Sequence, residues 1–367
     1  GGLVQIVPGT RDVADQRPAG VEKGSTRDYD GEPKTPRTSS GGLAGHLNDL
    51  VEASATDAGN QVANVVFVKT HKTGSTTLAA VFYRYAVRHK LKLAHFGMGK
   101  GTIANLKKAA TQTRKSGEFV DVMHYHISHS GEYKSTWPQA ENYFRRIMRY
   151  PDSINFVTVL REPRSHLLSC YYFYIFPECE LSIEEYLMDP AHAGDENQRR
   201  LRNPLSAEFG VKTTREMNAF IENHLPGFKL VMLTERMDES LAILRRLLGW
   251  HMIDVTYASL NETRAGARRY DGKPLTDRPD FCDLSKEVQA RIDELTILDQ
   301  ALYDAGKKEF EKRLTSMSTS IQGDLVDFQE LQDNVCTYLE ENSSSAAREM
   351  YRSMDAVYTD PPPTYPF

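Results

Sequence analysis

The stretch Asn64-Val-Val-Phe-Val-Lys69-Thr-His71-Lys72-Thr73-Gly74-Ser75-Thr76-Thr77 decides how this chain is read. Val65 to Val68 is a short apolar run, rich in β-branched side chains and bounded by polar residues, which reads as a buried strand. It passes through the Lys-, Thr- and Gly-bearing segment into Leu78-Ala-Ala-Val-Phe-Tyr-Arg-Tyr-Ala86, a stretch suited to a helix. Strand, Gly- and hydroxyl-bearing turn and helix N-terminus together hold an anion, because free backbone N–H groups and the positive end of the helix dipole converge there. Lys72 adds a mobile positive charge, and the hydroxyls of Thr73, Ser75, Thr76 and Thr77 add donors. An ordinary strand-to-helix turn with a Ser/Thr cap shares these residue types. A Walker A loop ends in Gly-Lys-Ser/Thr with a second Gly upstream; here both lysines precede the lone Gly74.

A second motif lies downstream. Val157-Thr-Val-Leu-Arg161-Glu-Pro-Arg-Ser-His-Leu-Leu-Ser169 puts an arginine at a strand end and a serine beyond it. The two are a little over two helical turns apart, so both side chains can face one phosphate. Arginine offers a bidentate fork and serine a neutral donor, which suits a phosphate monoester. An Arg after a strand is by itself usually a surface or ion-pair residue; the pair of motifs is specific where either half alone is not. A third constellation follows the apolar run Phe119 to Met123: His124 and His126, with His129 nearby. In an extended segment His124 and His126 point to the same side. Imidazole titrates near working pH and can take a proton from an attacking hydroxyl. The rival readings are a structural histidine or a metal site, and no convincing third and fourth ligand at metal spacing accompanies the pair. His71, between two lysines, is a further candidate base.

The order Lys-Thr-Gly-Ser-Thr-Thr resembles the 5′-phosphosulfate loop of sulfotransferases that use 3′-phosphoadenosine 5′-phosphosulfate (PAPS). The longer run Phe67 to Thr77 resembles the galactose 3-O-sulfotransferase and galactosylceramide sulfotransferase family. Leu230-Val-Met-Leu-Thr-Glu-Arg-Met-Asp-Glu-Ser-Leu, continuing to Trp250, and Leu260 to Arg264 extend the resemblance over about residues 62–315. Gly74 stands where several of that branch carry Ala. The resemblance implies that Lys72, Thr73, Gly74, Ser75, Thr76 and Thr77 hold the 5′-phosphosulfate, with Lys69 supporting the loop. It gives Arg161 and Ser169 the 3′-phosphate, and Lys72 the bridging oxygen and sulfonate. His126, His124 or His71 is the catalytic base. PAPS is the sulfuryl donor, 3′-phosphoadenosine 5′-phosphate (PAP) the product, and no metal is required. The implied acceptor is a carbohydrate hydroxyl, a galactose of a glycolipid or glycan, and the implied location is the Golgi lumen. The segments 176–225 and 264–284 diverge most, which puts the acceptor in question more than the chemistry. The alternatives are a non-sugar alcohol as acceptor, a P-loop ATP-dependent kinase, or a non-catalytic PAPS-binding protein. The kinase lacks its Walker signatures, and the binding protein would have shed the Lys and His groups that are present.

Around these motifs, strands alternate with helices, which predicts an α/β fold: a P-loop-like parallel sheet flanked by helices, with a helical C-terminal part. Ligands in such sheets sit beyond the carboxyl ends of the strands, where the polar motifs fall. Leu91 to Phe96, Phe119 to Met123, Asn155 to Leu160 and Phe228 to Leu233 read as further strands. Thr102 to Lys115, Trp137 to Arg149, Arg164 to Phe173, Met237 to Trp250 and Leu284 to Leu314 read as helices. Residues 1–58 read as a flexible lead, 59–318 as the sulfotransferase domain, and 319–367 as a helical extension with a Pro-rich tail. A short helix over Leu43 to Ala53 is compatible with the lead.

The 367 residues are 40% hydrophobic and 26% charged, ordinary for a globular protein, and the net charge of −5 argues against a general nucleic-acid binder. Cys170, Cys179, Cys282 and Cys336 lack zinc-type spacing and permit two disulfides without requiring them. Asn261-Glu-Thr263 and Asn342-Ser-Ser344 are glycosylation sequons. No run approaches the length of a membrane span. The Gly-Gly start reads as a processed or trimmed end, compatible with an N-terminal anchor outside this chain. Nothing in the sequence speaks to oligomeric state.

Overall fold

A computed structural model describes residues 62–94, 103–127, 136–257 and 278–341. The lead helix over 43–53, His129 and both sequons lie outside these residues. Five parallel strands form one sheet: β1 Val65–Lys69, β2 Leu93–Ala94, β3 Val122–His126, β4 Asn155–Leu160 and β5 Phe228–Leu233. Their order is β2-β3-β1-β4-β5, so β1 is central and the chain crosses from one side of it to the other between β3 and β4. That switch opens a crevice beyond the carboxyl end of β1.

All five residues of β1 are buried, as a continuous β-branched run between two helical layers requires. Helix Ser75–Arg88 follows β1, and its apolar side packs inward: Phe82 stacks on Phe67 (centroids 4.9 Å apart) and Tyr85 on Trp250 (3.7 Å). Helix Trp137–Ile147 starts at a capping box formed by Thr136 and Gln139, with Pro138 in its first turn. Helix Ile297–Ser316 lies on β5, and the helix Ser318–Glu341 places Ile321, Phe328 and Val335 in the main core. A smaller apolar cluster joins Leu167, Tyr171 and Ile175 to Tyr186, Val288 and Ile292.

Three sequence expectations need correction. The helix expected over Leu284 to Leu314 is two, Lys286–Leu295 and Ile297–Ser316, divided at Thr296. The strand predicted over Phe119 to Met123 instead runs from Val122 to His126, so both histidines lie within β3 and not after it. The helix predicted from Arg164 to Phe173 is α-helical only over Pro163–Cys170 and then widens into a π-helix, Tyr171–Ile175, where the Phe176 N–H reaches back to the Tyr171 carbonyl. Pro177, which has no N–H to give, falls in the first turn of the short α-helix Phe176–Cys179 that follows.

Candidate functional site

The loop after β1 is shaped by its backbone. Lys72 and Gly74 take positive φ (57° and 71°), and Gly74 leads into helix Ser75–Arg88. The Thr73 hydroxyl donates to the Thr70 carbonyl at 2.9 Å, and the Ser75 hydroxyl to the same carbonyl at 2.6 Å. The Thr70 hydroxyl donates to the Val159 carbonyl of β4 at 2.6 Å. Thr73 and Ser75 therefore spend the donors read from the sequence as anion ligands on holding the turn, since a buried carbonyl must be satisfied. Thr76 is half-buried and Thr77 buried in the first helical turn. What the loop presents is a helix N-terminus that no side chain caps and no acidic residue neutralises within its first turn. That is the donor set an anion takes.

Positive charge gathers around it. Lys69 is buried and sits opposite His126 in the β1–β3 register, and burial pushes its ammonium down to about 8. Burial likewise pushes Lys72 to about 8, with the charges of Arg161 and Arg278 adding to the shift and nearby Cys170 opposing it. Arg161, just past β4, donates from Nη1 to the Lys72 carbonyl at 3.0 Å, and burial together with Arg278 disfavours its charge. Among the described residues no carboxylate pairs directly with Lys72, Arg161 or Arg278. Glu162 is engaged on the N–H groups of Arg164 and Ser165, and Glu235 on the N–H of Glu162. Three crowded cations without a direct counter-charge fit a multiply charged anion, which would relieve their repulsion. Ser169 is half-buried in the last turn of helix Pro163–Cys170.

His71 is held on three sides. Its backbone N–H donates to the Glu208 carboxylate at 3.1 Å, and its ring Nδ1 bonds the same carboxylate. Its carbonyl accepts from His166 Nε2 at 2.7 Å. His166 is buried, and burial pushes its imidazole down to about 3, so it acts as a fixed neutral donor. A carboxylate can only accept, so Nδ1 of His71 carries a proton, and in the neutral ring Nε2 keeps the lone pair. The His126 ring stacks on His71 with centroids 3.9 Å apart and 18° between planes. Burial first, then the charges of His71 and Lys69, hold His126 well below the usual imidazole range, and its Nδ1 is buried without a partner. His124 is buried opposite Phe67, one step deeper in the sheet.

His71, His126 and Glu208 bring their ligand-type atoms within 4.8 Å of one another. The absence of a third ligand, the sequence ground for setting a metal aside, does not hold, because Glu208 supplies one from far along the chain. The near-parallel stacking nevertheless sets the two imidazoles side by side and not converging on one point, and Glu208 already occupies His71 Nδ1.

The fold thus joins Lys69, Lys72, His71, His126 and Arg161 at the ends of β1, β3 and β4. It adds four residues the sequence reading missed: Glu208, His166, Arg278 and Phe173, whose ring lies 3.5 Å beneath the Lys72 ammonium. Glu208 follows the short helix Pro204–Ala207, whose Leu205 and Ser206 N–H groups and Ser206 hydroxyl are held by buried Asp299. No local pattern marks it. For Arg278 and Phe173 the signals were an isolated Arg in a loop and an aromatic run read as helix.

Fold and site define a P-loop-like α/β protein with an uncapped helix N-terminus and clustered cations beside an oriented histidine. The model of the galactose-3-O-sulfotransferase family matches residues 43–335, and the chain belongs to that family. It is 29% identical to galactosylceramide sulfotransferase of Homo sapiens over 260 residues, 65% of this chain and 55% of the relative. It is 30% identical to galactose-3-O-sulfotransferase 3 of Bos taurus over 276 residues, 69% of this chain and 58% of the relative. Identity to human galactose-3-O-sulfotransferase 2 is 26% over 289 residues, 71% and 65% of the two chains. The chain therefore spans little more than half the length of the first two relatives.

Proposed function

We propose that this protein transfers a sulfuryl group from PAPS to a hydroxyl of a galactose on a glycolipid or glycan. The observation that supports this most directly is the His71–Glu208 pair beside Lys72 at the end of the central strand, in a chain of this family. PAPS, when bound, supplies an activated sulfuryl group attached to a phosphate that departs. Lys72, Arg161 and Arg278, the uncapped helix N-terminus and Ser169 are the groups that would hold its phosphates. Lys72 faces the charge that develops as the phosphate leaves, and a preorganised cation in a poorly solvated site is effective there.

The acceptor proton goes to His71 Nε2. Glu208 keeps that tautomer in place and offsets the positive charge the ring acquires, which His126, held neutral by burial, cannot match. His126 backs the ring by stacking, and His124 supports from within the sheet. Lys69 anchors the base of the loop. Catalysis by this set is positioning plus electrostatics. Glycan sulfation of this kind suits the Golgi lumen; among the described residues no helix is long and apolar enough to cross a membrane.

Calorimetric titration of PAP into the wild type, Lys72→Ala and Arg161→Ala, with Mg·ATP as control, tests the donor. Binding weakened about tenfold or more in each variant is expected from losing one charge-assisted contact. A preference for Mg·ATP would overturn the reading. Transfer of labelled sulfate from PAPS to a β-galactoside then tests the acceptor.

A further inference from the structure

The π-helix Tyr171–Ile175 has no part in holding the donor in the scheme above. It begins one residue after Cys170 ends the helix that carries Ser169. Tyr171, Tyr172 and Ile175 are buried, whereas Phe173 is 46% exposed, an unusual position for a phenyl ring beside a charged site. The Lys72 ammonium lies 3.5 Å from the Phe173 centroid. Tyr174 packs edge-on against Phe173 (4.8 Å) and lies 6.3 Å from the His71 ring, again edge-on. One ring thus lies against the lysine proposed to meet the leaving phosphate, and the next lies beside the histidine proposed to take the acceptor proton. π-Helical turns are rare and recur at functional sites, because the extra residue re-aims side chains that an α-helix would bury or turn away.

We propose that Phe173 and Tyr174, whose planes stand 82° apart, form a two-sided aromatic platform for the acceptor pyranose, one ring meeting its C–H face and the other its edge, with its reacting hydroxyl directed between Lys72 and His71. This rests on the sulfuryl-transfer reading. The chemistry favours a sugar with one coherent apolar face. A galactopyranose has such a face, because its axial 4-hydroxyl leaves the C–H bonds at C3, C4 and C5 on one side. A π-face carries partial negative charge and attracts polarised C–H groups as it attracts the lysine. The platform orients the sugar without spending polar groups, leaving the hydroxyls free for His71 and solvent.

The test uses the whole chain with bound PAP and methyl β-D-galactopyranoside. Saturation-transfer NMR is expected to show the strongest effect on H3, H4 and H5 in the wild type, and its loss in Phe173→Ala and Tyr174→Ala. In turnover with PAPS, each Ala variant is expected to raise the galactoside KM about 5- to 10-fold. PAP affinity should stay within about twofold, and Phe173→Trp should restore KM. Phe173→Ala also removes the ring beneath the Lys72 ammonium, so kcat and KM are read separately for both variants. An unchanged KM with normal PAP binding would overturn the platform and leave the sulfotransferase reading intact. A parallel loss of PAP affinity would overturn it by making the rings part of the donor site. Failure of the wild type to bind PAP would overturn both.

Discussion

In the proposed reaction His71 combines a backbone role with a chemical one. Its N–H and carbonyl are clamped by Glu208 and His166, so the loop cannot shift without breaking two partly buried hydrogen bonds, while its ring is oriented by the same Glu208. Glu208→Gln keeps the shape but removes the carboxylate that stabilises the protonated ring. Its kcat is expected to fall about 10²-fold with PAP affinity nearly unchanged, as for loss of general-base support. Equal losses in both would mean that Glu208 only shapes the loop. The lysines carry a pH signature. Burial pushes both down to about 8. Below that pH both are charged and PAP is expected to bind fully; above it each loses its proton. PAP affinity should fall with pH above about 8, at up to about tenfold per unit for each lysine that titrates. Lys72→Ala should flatten the profile, measured by calorimetry from pH 6.5 to 9.5. A profile equally steep without Lys72 would assign the dependence elsewhere.

At the scale of elements, the site depends on how closely helices approach the sheet. Gly306 in helix Ile297–Ser316 is the clearest case: a Cβ there would stand 2.5 Å from Leu160 Cδ1 and 3.0 Å from Val231 Cγ1, both on strands that lead into the site. Alanine gains about 1 kcal/mol of helix propensity, but overpacking against a buried sheet costs roughly 1–3 kcal/mol. Gly306→Ala is expected to be net destabilising by about 1 kcal/mol in urea unfolding, and a stabilised variant would show that the helix can back away freely. The strands β1, β4 and β5 were legible because a short apolar β-branched run between polar boundaries has few other ways to bury itself. The shifted β3 was harder to read. His124 and His126 look polar in sequence, yet strand pairing with β1 buries the first and half-buries the second.

At the scale of the whole molecule, the helix Ser318–Glu341 is part of the body that supports the sheet. Phe328 is fully buried in the main core, and Asp324 pairs with Arg245 and Arg246 of helix Met237–Leu248. Phe328→Ala is expected to cost about 3–5 kcal/mol, read as a lowered urea midpoint with unchanged slope; a loss below about 1 kcal/mol would mean the helix is only loosely attached. From the chain alone one can read the strand–loop–helix unit, the arginine and serine that follow β4, the parallel α/β class and the family resemblance. Each of these depends on residues close in sequence, or on backbone needs, such as the left-handed turn at Gly74, that a residue type announces locally. The partner of His71, the third cation Arg278, the re-aimed Phe173 and the place of the last helix were decided only by the tertiary structure. Those contacts join segments far apart along the chain, Glu208 being 137 residues from His71. Their formation is governed by how the layers pack around one core, which no local pattern of side chains encodes.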